Sequence, residues 1–207
     1  MSDFSSLLPF FTTISKDFPD PNFHLEQYIT SLSILQEYFE AMPDLSGTTI
    51  LDLGIGTGLL SFLAIKKGAN RVIGIDIDSK VLKLASQIAK TNNINNLNLI
   101  HSGIEFFNFD KFASRVDGVI MNPPFGTKRK FLDFVFLKKA LQTKGWIITL
   151  HKNNPESDRK LRNLCSTFNY LVEYTKDLTY SLPNTHKIHK LTNYNVDVKL
   201  YYLVPNF

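Results

Sequence analysis

The chain has 207 residues, with 43% hydrophobic and 20% charged content, which suits one globular domain with a full core and excludes a disordered chain. Its net charge of +4 and pI near 9.0 are compatible with a nucleic-acid partner without requiring one. The single cysteine, Cys165, excludes an internal disulfide framework and a multi-cysteine zinc site. The start lacks a positive n-region, and no apolar run approaches the roughly 18 residues of a membrane span, so a cytosolic or nuclear protein with no membrane partner is expected.

Residues 1–22 carry Ser, Phe and Pro without a clear period and read as an irregular arm. Phe23 to Met42 reads as a helix, because Leu25, Tyr28, Leu32, Leu35 and Phe39 recur at spacings of three and four. Pro43, Asp44 and Gly47 end it. Thr48 to Leu53 is a short apolar strand, followed by the glycine loop Gly54 to Gly58 and a helix from Leu59 to Lys67. Arg71 to Ile77 is a second strand, Ser79 to Thr91 a helix, and Leu97 to His101 a third strand. Val116 to Met121 is a fourth, Phe131 to Leu141 an apolar helix, Trp146 to His151 a fifth strand and Glu156 to Phe168 a further helix. Tyr170 to Leu178 and Val196 to Val204 read as final strands, with a polar, cationic segment from Tyr180 to Tyr194 between them. Strands alternating with helices predict a parallel, doubly wound α/β sheet, in which ligands sit at the carboxyl ends of the strands.

Two loops share that address. The first is Gly54-Ile55-Gly56-Thr57-Gly58, between a strand and a helix. Its glycines allow a tight turn and a close approach to a ligand. Leu59 stands where the dinucleotide fingerprint wants its third glycine. With Asp52 just upstream, the spacing suits a nucleoside with a short cationic tail, such as S-adenosyl-L-methionine. Asp76 ends the second strand, where a carboxylate can accept both ribose hydroxyls, while Asp78 reads as an N-cap or a solvated acid.

The second loop is Met121-Asn122-Pro123-Pro124-Phe125-Gly126-Thr127. Its prolines remove two donors and hold the backbone extended. What remains is the Asn122 side-chain oxygen and the Pro123 carbonyl, beside the flat face of Phe125. Two acceptors and a ring suit a planar group carrying an NH2, such as adenine.

Together, Asp52 to Gly58, Asp76 and Asn122-Pro123-Pro124-Phe125 resemble a class I S-adenosylmethionine-dependent methyltransferase acting on an amine. More narrowly, the chain resembles the methyltransferase-like protein 5 family, enzymes that make N6-methyladenosine in small-subunit ribosomal RNA. The resemblance runs from Leu25 to the C-terminus and rests also on Leu25-Glu26-Gln27-Tyr28-x-Thr30, Leu150-His151-Lys152, Leu182-Pro183 and Lys187-Ile188-His189-Lys190. It implies a Rossmann-like methyltransferase domain over 23–207, with a seven-stranded, mostly parallel sheet whose last strand is antiparallel. It further implies that Gln27, Tyr28 and Thr30 reach over the cofactor and that Gly54, Thr57 and Leu59 line its loop. Asp76 would hold the ribose with Ile77 beside it, Gly103 and Ile104 would flank the adenine, and Asn122 would bridge cofactor and substrate.

Two departures bear on cofactor affinity. Ile29 stands where the family has proline, and His101-Ser102-Gly103-Ile104 lacks the acid that many relatives carry after the third strand. Glu105 lies two residues further on.

Lys128, Arg129 and Lys130 follow the second loop and read as phosphate contacts. Lys152, Lys187, His189 and Lys190 are further candidates for RNA contact. His186 and His189 have no acid or cysteine beside them and do not read as metal ligands. Phe125 is expected to stack on the target base. Other amine acceptors remain open: guanine N2, adenine in DNA, or a protein glutamine, although the stretch ahead of Thr48 is short for the extra helical domain of the glutamine enzymes. A non-catalytic, cofactor-binding scaffold in ribosome assembly is a further alternative. The third strand is expected at a sheet edge, and the family resemblance implies a partner there, a small zinc-binding activator subunit.

Overall fold

A computed structural model describes residues 3–17, 25–109, 115–126, 129–183 and 193–206. The positions Thr127, Lys128, Lys187, His189 and Lys190 lie outside them. Seven strands form one sheet: β1 (Thr49–Leu53), β2 (Arg71–Asp76), β3 (Leu97–His101), β4 (Gly118–Met121), β5 (Trp146–Lys152), β6 (Tyr170–Pro183) and β7 (Asn193–Pro205). Their order is β3-β2-β1-β4-β5-β7-β6. The first five are parallel, and β7 runs antiparallel to both β5 and β6. β1 lies between β2 and β4, so the winding reverses there and a crevice opens at the carboxyl ends of β1 and β4. Both loops singled out above end at that crevice.

Among the described residues six α-helices cover the sheet: α1 (Phe4–Ile14), α2 (Leu32–Ala41), α3 (Leu59–Lys66), α4 (Ser79–Thr91), α5 (Leu132–Ala140) and α6 (Pro155–Thr167). The parallel strands alternate their side chains between two apolar layers. Ile50, Val72, Ile120 and Ile148 face one layer, together with residues of α1, α2, α3 and α4. Leu51, Ile73, Val119 and Ile147 face the other, with Leu137 of α5 and Leu161 of α6.

Three expectations are corrected. The stretch expected to be an irregular arm contains α1, capped by Asp3, which accepts from the Ser5 amide. Phe4, Phe11 and Ile14 are buried in the core, with Phe4 and Phe39 ring centroids 5.6 Å apart and those of Phe10 and Phe62 6.0 Å apart. The helix expected from Phe23 begins only at Leu32. Ser31 is its N-cap, accepting from the Ile34 amide at 3.3 Å, and Glu26 sits at φ 51, outside any helix. Leu25 and Tyr28 keep helical spacing but line a cavity instead. Finally, β6 and β7 run on through part of the segment read as polar, pairing as far as Pro183 and Asn193. That extension carries Tyr180 into the interior.

Candidate active site

The glycine loop leaves β1 by bonding across to β2: the amides of Gly54 and Ile55 both donate to the Ile75 carbonyl, at 2.9 and 3.0 Å. Gly56 has φ 55, and a methyl built on it would meet nothing within 4 Å, so its open side faces space a ligand can fill. Gly58 differs. Its φ is 94 and a methyl there would stand 2.9 Å from the Phe62 ring, so this glycine serves the packing of α3.

Two acids stand behind the loop. Asp76 accepts from the amides of Gly56 (2.8 Å) and Asp78 (2.9 Å), which fixes its carboxylate at the tip of β2. Burial raises its pKa, partly opposed by those amides. Asp52 is fully buried, and burial pushes it up to about 7 against the opposing bond from Ser61. One of its oxygens accepts from the Ser61 hydroxyl at 2.6 Å; the other, Oδ1, has no partner among the described residues. A buried carboxylate oxygen without a donor calls for a cation or a donor from a ligand.

The loop from Leu25 to Ser31 closes the other side. Gln27 Nε2 donates to Asp78 Oδ2 at 3.0 Å, and the Tyr180 hydroxyl donates to the Ile29 carbonyl at 2.7 Å. Asp78 is thus the N-cap of α4 and also an anchor for this loop.

Asn122 follows β4, whose last carbonyl, at Met121, accepts from the buried Tyr38 hydroxyl at 2.6 Å. The Asn122 amide nitrogen donates to Thr30 Oγ1 at 3.1 Å, so its carbonyl oxygen lies on the other side of the amide. Burial raises the Tyr180 pKa, offset in part by hydrogen bonds with Asn122 and Thr30. Asn122, Thr30 and Tyr180 therefore act as one buried unit that orients the amide.

A cavity of about 310 Å3 lies between these elements. Of the residues expected at the cofactor, Gln27, Tyr28, Thr30, Asp52, Gly54, Gly56, Thr57, Leu59, Asp76, Ile77, Gly103, Ile104 and Asn122 all line it; Gly58 does not. Pro124 lines it too, whereas Pro123 is buried behind the loop. Phe125 departs from the stacking role expected for it. It is 5% exposed, belongs to the core and meets Tyr180 edge-on at 6.0 Å, so it props the loop from behind.

The cations divide as well. Arg129 stands on the cavity rim in an ion pair with Glu105, Lys130 is exposed beside it, and Lys152 is half-buried at the end of β5. Glu105 thus lines the cavity with its charge already partnered.

Sequence reasoning passed over Tyr38, Tyr180 and Phe136. Phe136 lies 3.1 Å from where a Gly54 methyl would be, flooring the loop. Tyr38 and Phe136 look like ordinary core residues in their local sequence, and Tyr180 opens a segment read as polar. Only the fold brings them to the site.

A methyltransferase domain family model matches residues 44–196. An uncharacterized protein of Methanocaldococcus jannaschii is 33% identical over 177 residues, covering 78% of this chain and 72% of its own. The rRNA N(6)-adenosine-methyltransferase METTL5 of Danio rerio is 28% identical over 194 residues, covering 91% and 92%. Among solved structures, a protein of Pyrococcus horikoshii named a "putative RNA methyltransferase" superposes with a TM-score of 0.84 at 27% identity, covering 100% of this chain and 98% of that one. The glycine loop, the two acids and the Asn122 amide around one cavity are what such a domain needs, and this chain belongs to the methyltransferase domain family as a homologue of the METTL5 enzymes.

Proposed function

We propose that this chain methylates N6 of an adenosine in small-subunit ribosomal RNA, with S-adenosyl-L-methionine as donor. The observation that carries the reading is the placement of Asn122: its amide lines the same cavity as Asp52 and Asp76, with its nitrogen held by Thr30. The cavity fits the cofactor on three counts. The Asp52 oxygen that lacks a donor suits the methionyl ammonium, Asp76 can accept from the ribose hydroxyls, and Ile77 and Ile104 on the cavity wall offer apolar surface for adenine. When bound, the cofactor supplies an electrophilic methyl on a sulfonium.

The chain's own residues then act on the acceptor. The exocyclic amine of adenine is conjugated and weakly nucleophilic. It gains positive charge as it attacks the methyl carbon, whose bond to sulfur breaks, and its surplus proton then leaves to water. The Asn122 oxygen accepts from that amine and stabilises it more in the transition state than before it. Pro124 offers an apolar surface at the same place. The target base must leave its stack to enter, so the adenosine is unpaired or readily opened.

The edge strand supports a partner. Among the described residues β3 pairs with β2 alone, and Leu97, Leu99 and Ile100 on it are only half-buried. We infer that a small zinc-binding activator subunit adds a strand there. The function is tested by incubating the protein with methyl-labelled cofactor and purified small- and large-subunit ribosomal RNA. Label in the small-subunit RNA is expected; label confined to the large-subunit RNA or to protein would overturn the reading.

A further inference from the structure

Next to the active-site loop, α5 and α6 leave a groove open between them. It is lined by Phe131, Phe134, Lys138, Lys160, Asn163 and Leu164, among others, and no carboxylate among the described residues lines it. Phe131 stands at its upper end. Its backbone is at φ 66, a left-handed conformation uncommon for a bulky side chain. Its ring is nonetheless 50% exposed, so burial does not explain the strain. The Lys160 ammonium lies 3.2 Å from the centroid of that ring and 5.2 Å from that of Phe134. One face of Phe131 is thus held by a cation while half of the side chain stays open to solvent. The position is also fixed relative to the chemistry, because a methyl on Gly126 would come within 3.1 Å of the Phe131 nitrogen.

An exposed aromatic ring beside lysines matches the needs of a single-stranded nucleic acid: a π face for a base and cations for its phosphates. We propose that this groove is a second binding site on the protein, a track for the substrate RNA outside the methyl-transfer cavity. Phe131 stacks on a nucleotide flanking the target adenosine, and Lys160 and Lys138 take the adjoining phosphates. The inference rests on the RNA reading above and deepens it, because it assigns the RNA path to α5 and α6 rather than to the rim at Arg129.

The test uses the full chain, with its activator subunit if that is needed for solubility. A labelled single-stranded oligoadenosine of about twelve nucleotides, within the ~4–16 that such platforms span, measures RNA affinity. Labelled-methyl transfer measures KM for ribosomal RNA. Phe131→Asn keeps a residue that tolerates the left-handed backbone and should weaken RNA affinity about tenfold, with Phe131→Trp restoring it. Lys160→Gln and Lys138→Gln, on the surface of stable helices, should each lower affinity and reduce the salt slope by about one. Cofactor affinity, measured on the same proteins, reports whether each is folded.

If the wild type methylates ribosomal RNA and all three substitutions leave affinity and KM unchanged, the track lies elsewhere and the inference falls while the RNA reading stands. Loss of a co-purifying protein, with RNA affinity intact, would assign the groove to a protein partner and also overturn it. A wild type that methylates no RNA removes the reading itself, and the inference with it.

Discussion

Asp52 is the residue whose chemistry is most exposed to test. Its folded-state pKa is raised to about 7 from an ordinary 3.8, by burial first. In the protein without cofactor the protonated acid is the favoured form, so its contribution to stability is full below about pH 4 and is lost as pH rises through about 7. The cationic cofactor has the opposite preference, since it needs the carboxylate. Below pH 7 its binding should therefore release a proton and weaken by about tenfold per pH unit. Calorimetry from pH 5.5 to 8, in buffers of different ionisation enthalpy, should show both effects, and Asp52→Asn should abolish them. Flat affinity across that range would mean that Asp52 does not face the cation. Asp76 holds the amides of Gly56 and Asp78, and the proposed function gives it the cofactor ribose as well. Asp76→Ala should lose at least about tenfold in cofactor affinity, at roughly 1.5–3 kcal/mol per charge-assisted bond, and should also melt at a lower temperature. An unchanged dissociation constant would place the ribose elsewhere.

At the scale of elements, the active-site loop is held from four directions: by Tyr38 at Met121, by Thr30 at Asn122, by Phe125 in the core and by Tyr180 behind it. Tyr180→Phe keeps the ring against Phe125 but removes the hydroxyl that reaches Ile29. It should cost about 1 kcal/mol, read as a several-fold fall in kcat with the protein still folded; kcat at the wild-type level would show that the hydroxyl does not orient the loop. α1 belongs to the body of the protein. Phe11 is fully buried, so Phe11→Ala should destabilise by about 3–5 kcal/mol in urea unfolding, whereas a loose arm would show almost nothing. β1, β2, β4 and the glycine loop were legible because short apolar runs and glycine spacing are local signals. The stretch from Leu25 to Ser31 was not, because its shape depends on distant partners: Asp78 for Gln27, Tyr180 for Ile29, and Asn122 for Thr30. Phe125 misled for the same reason. Beside two prolines its ring looks like a platform, but Tyr180, 55 positions later in the chain, draws it into the core. Most cavity-lining positions were foreseeable from spacing and resemblance, while the residues that support them were not.

At the scale of the whole molecule, the sheet gathers its chemistry at one end and leaves β3 open along one side. An edge with half-buried Leu97, Leu99 and Ile100 is liable to pair with another chain. Expression alone should give poorly soluble protein, and co-expression with the activator subunit should rescue it and yield a stable one-to-one complex. A soluble monomer that fails to co-purify with that subunit would remove the partner from the account. The account as a whole turns on whether the Asn122 acceptor after β4 acts on an adenine amine. Mass spectrometry of nucleosides from ribosomal RNA, methylated in vitro by the wild type and by Asn122→Ala, tests this most directly. The wild type should produce N6-methyladenosine, and Asn122→Ala should keep its cofactor while losing on the order of 10²–10³ in kcat. Methylguanosine as the product, or full activity in Asn122→Ala, would contradict the account.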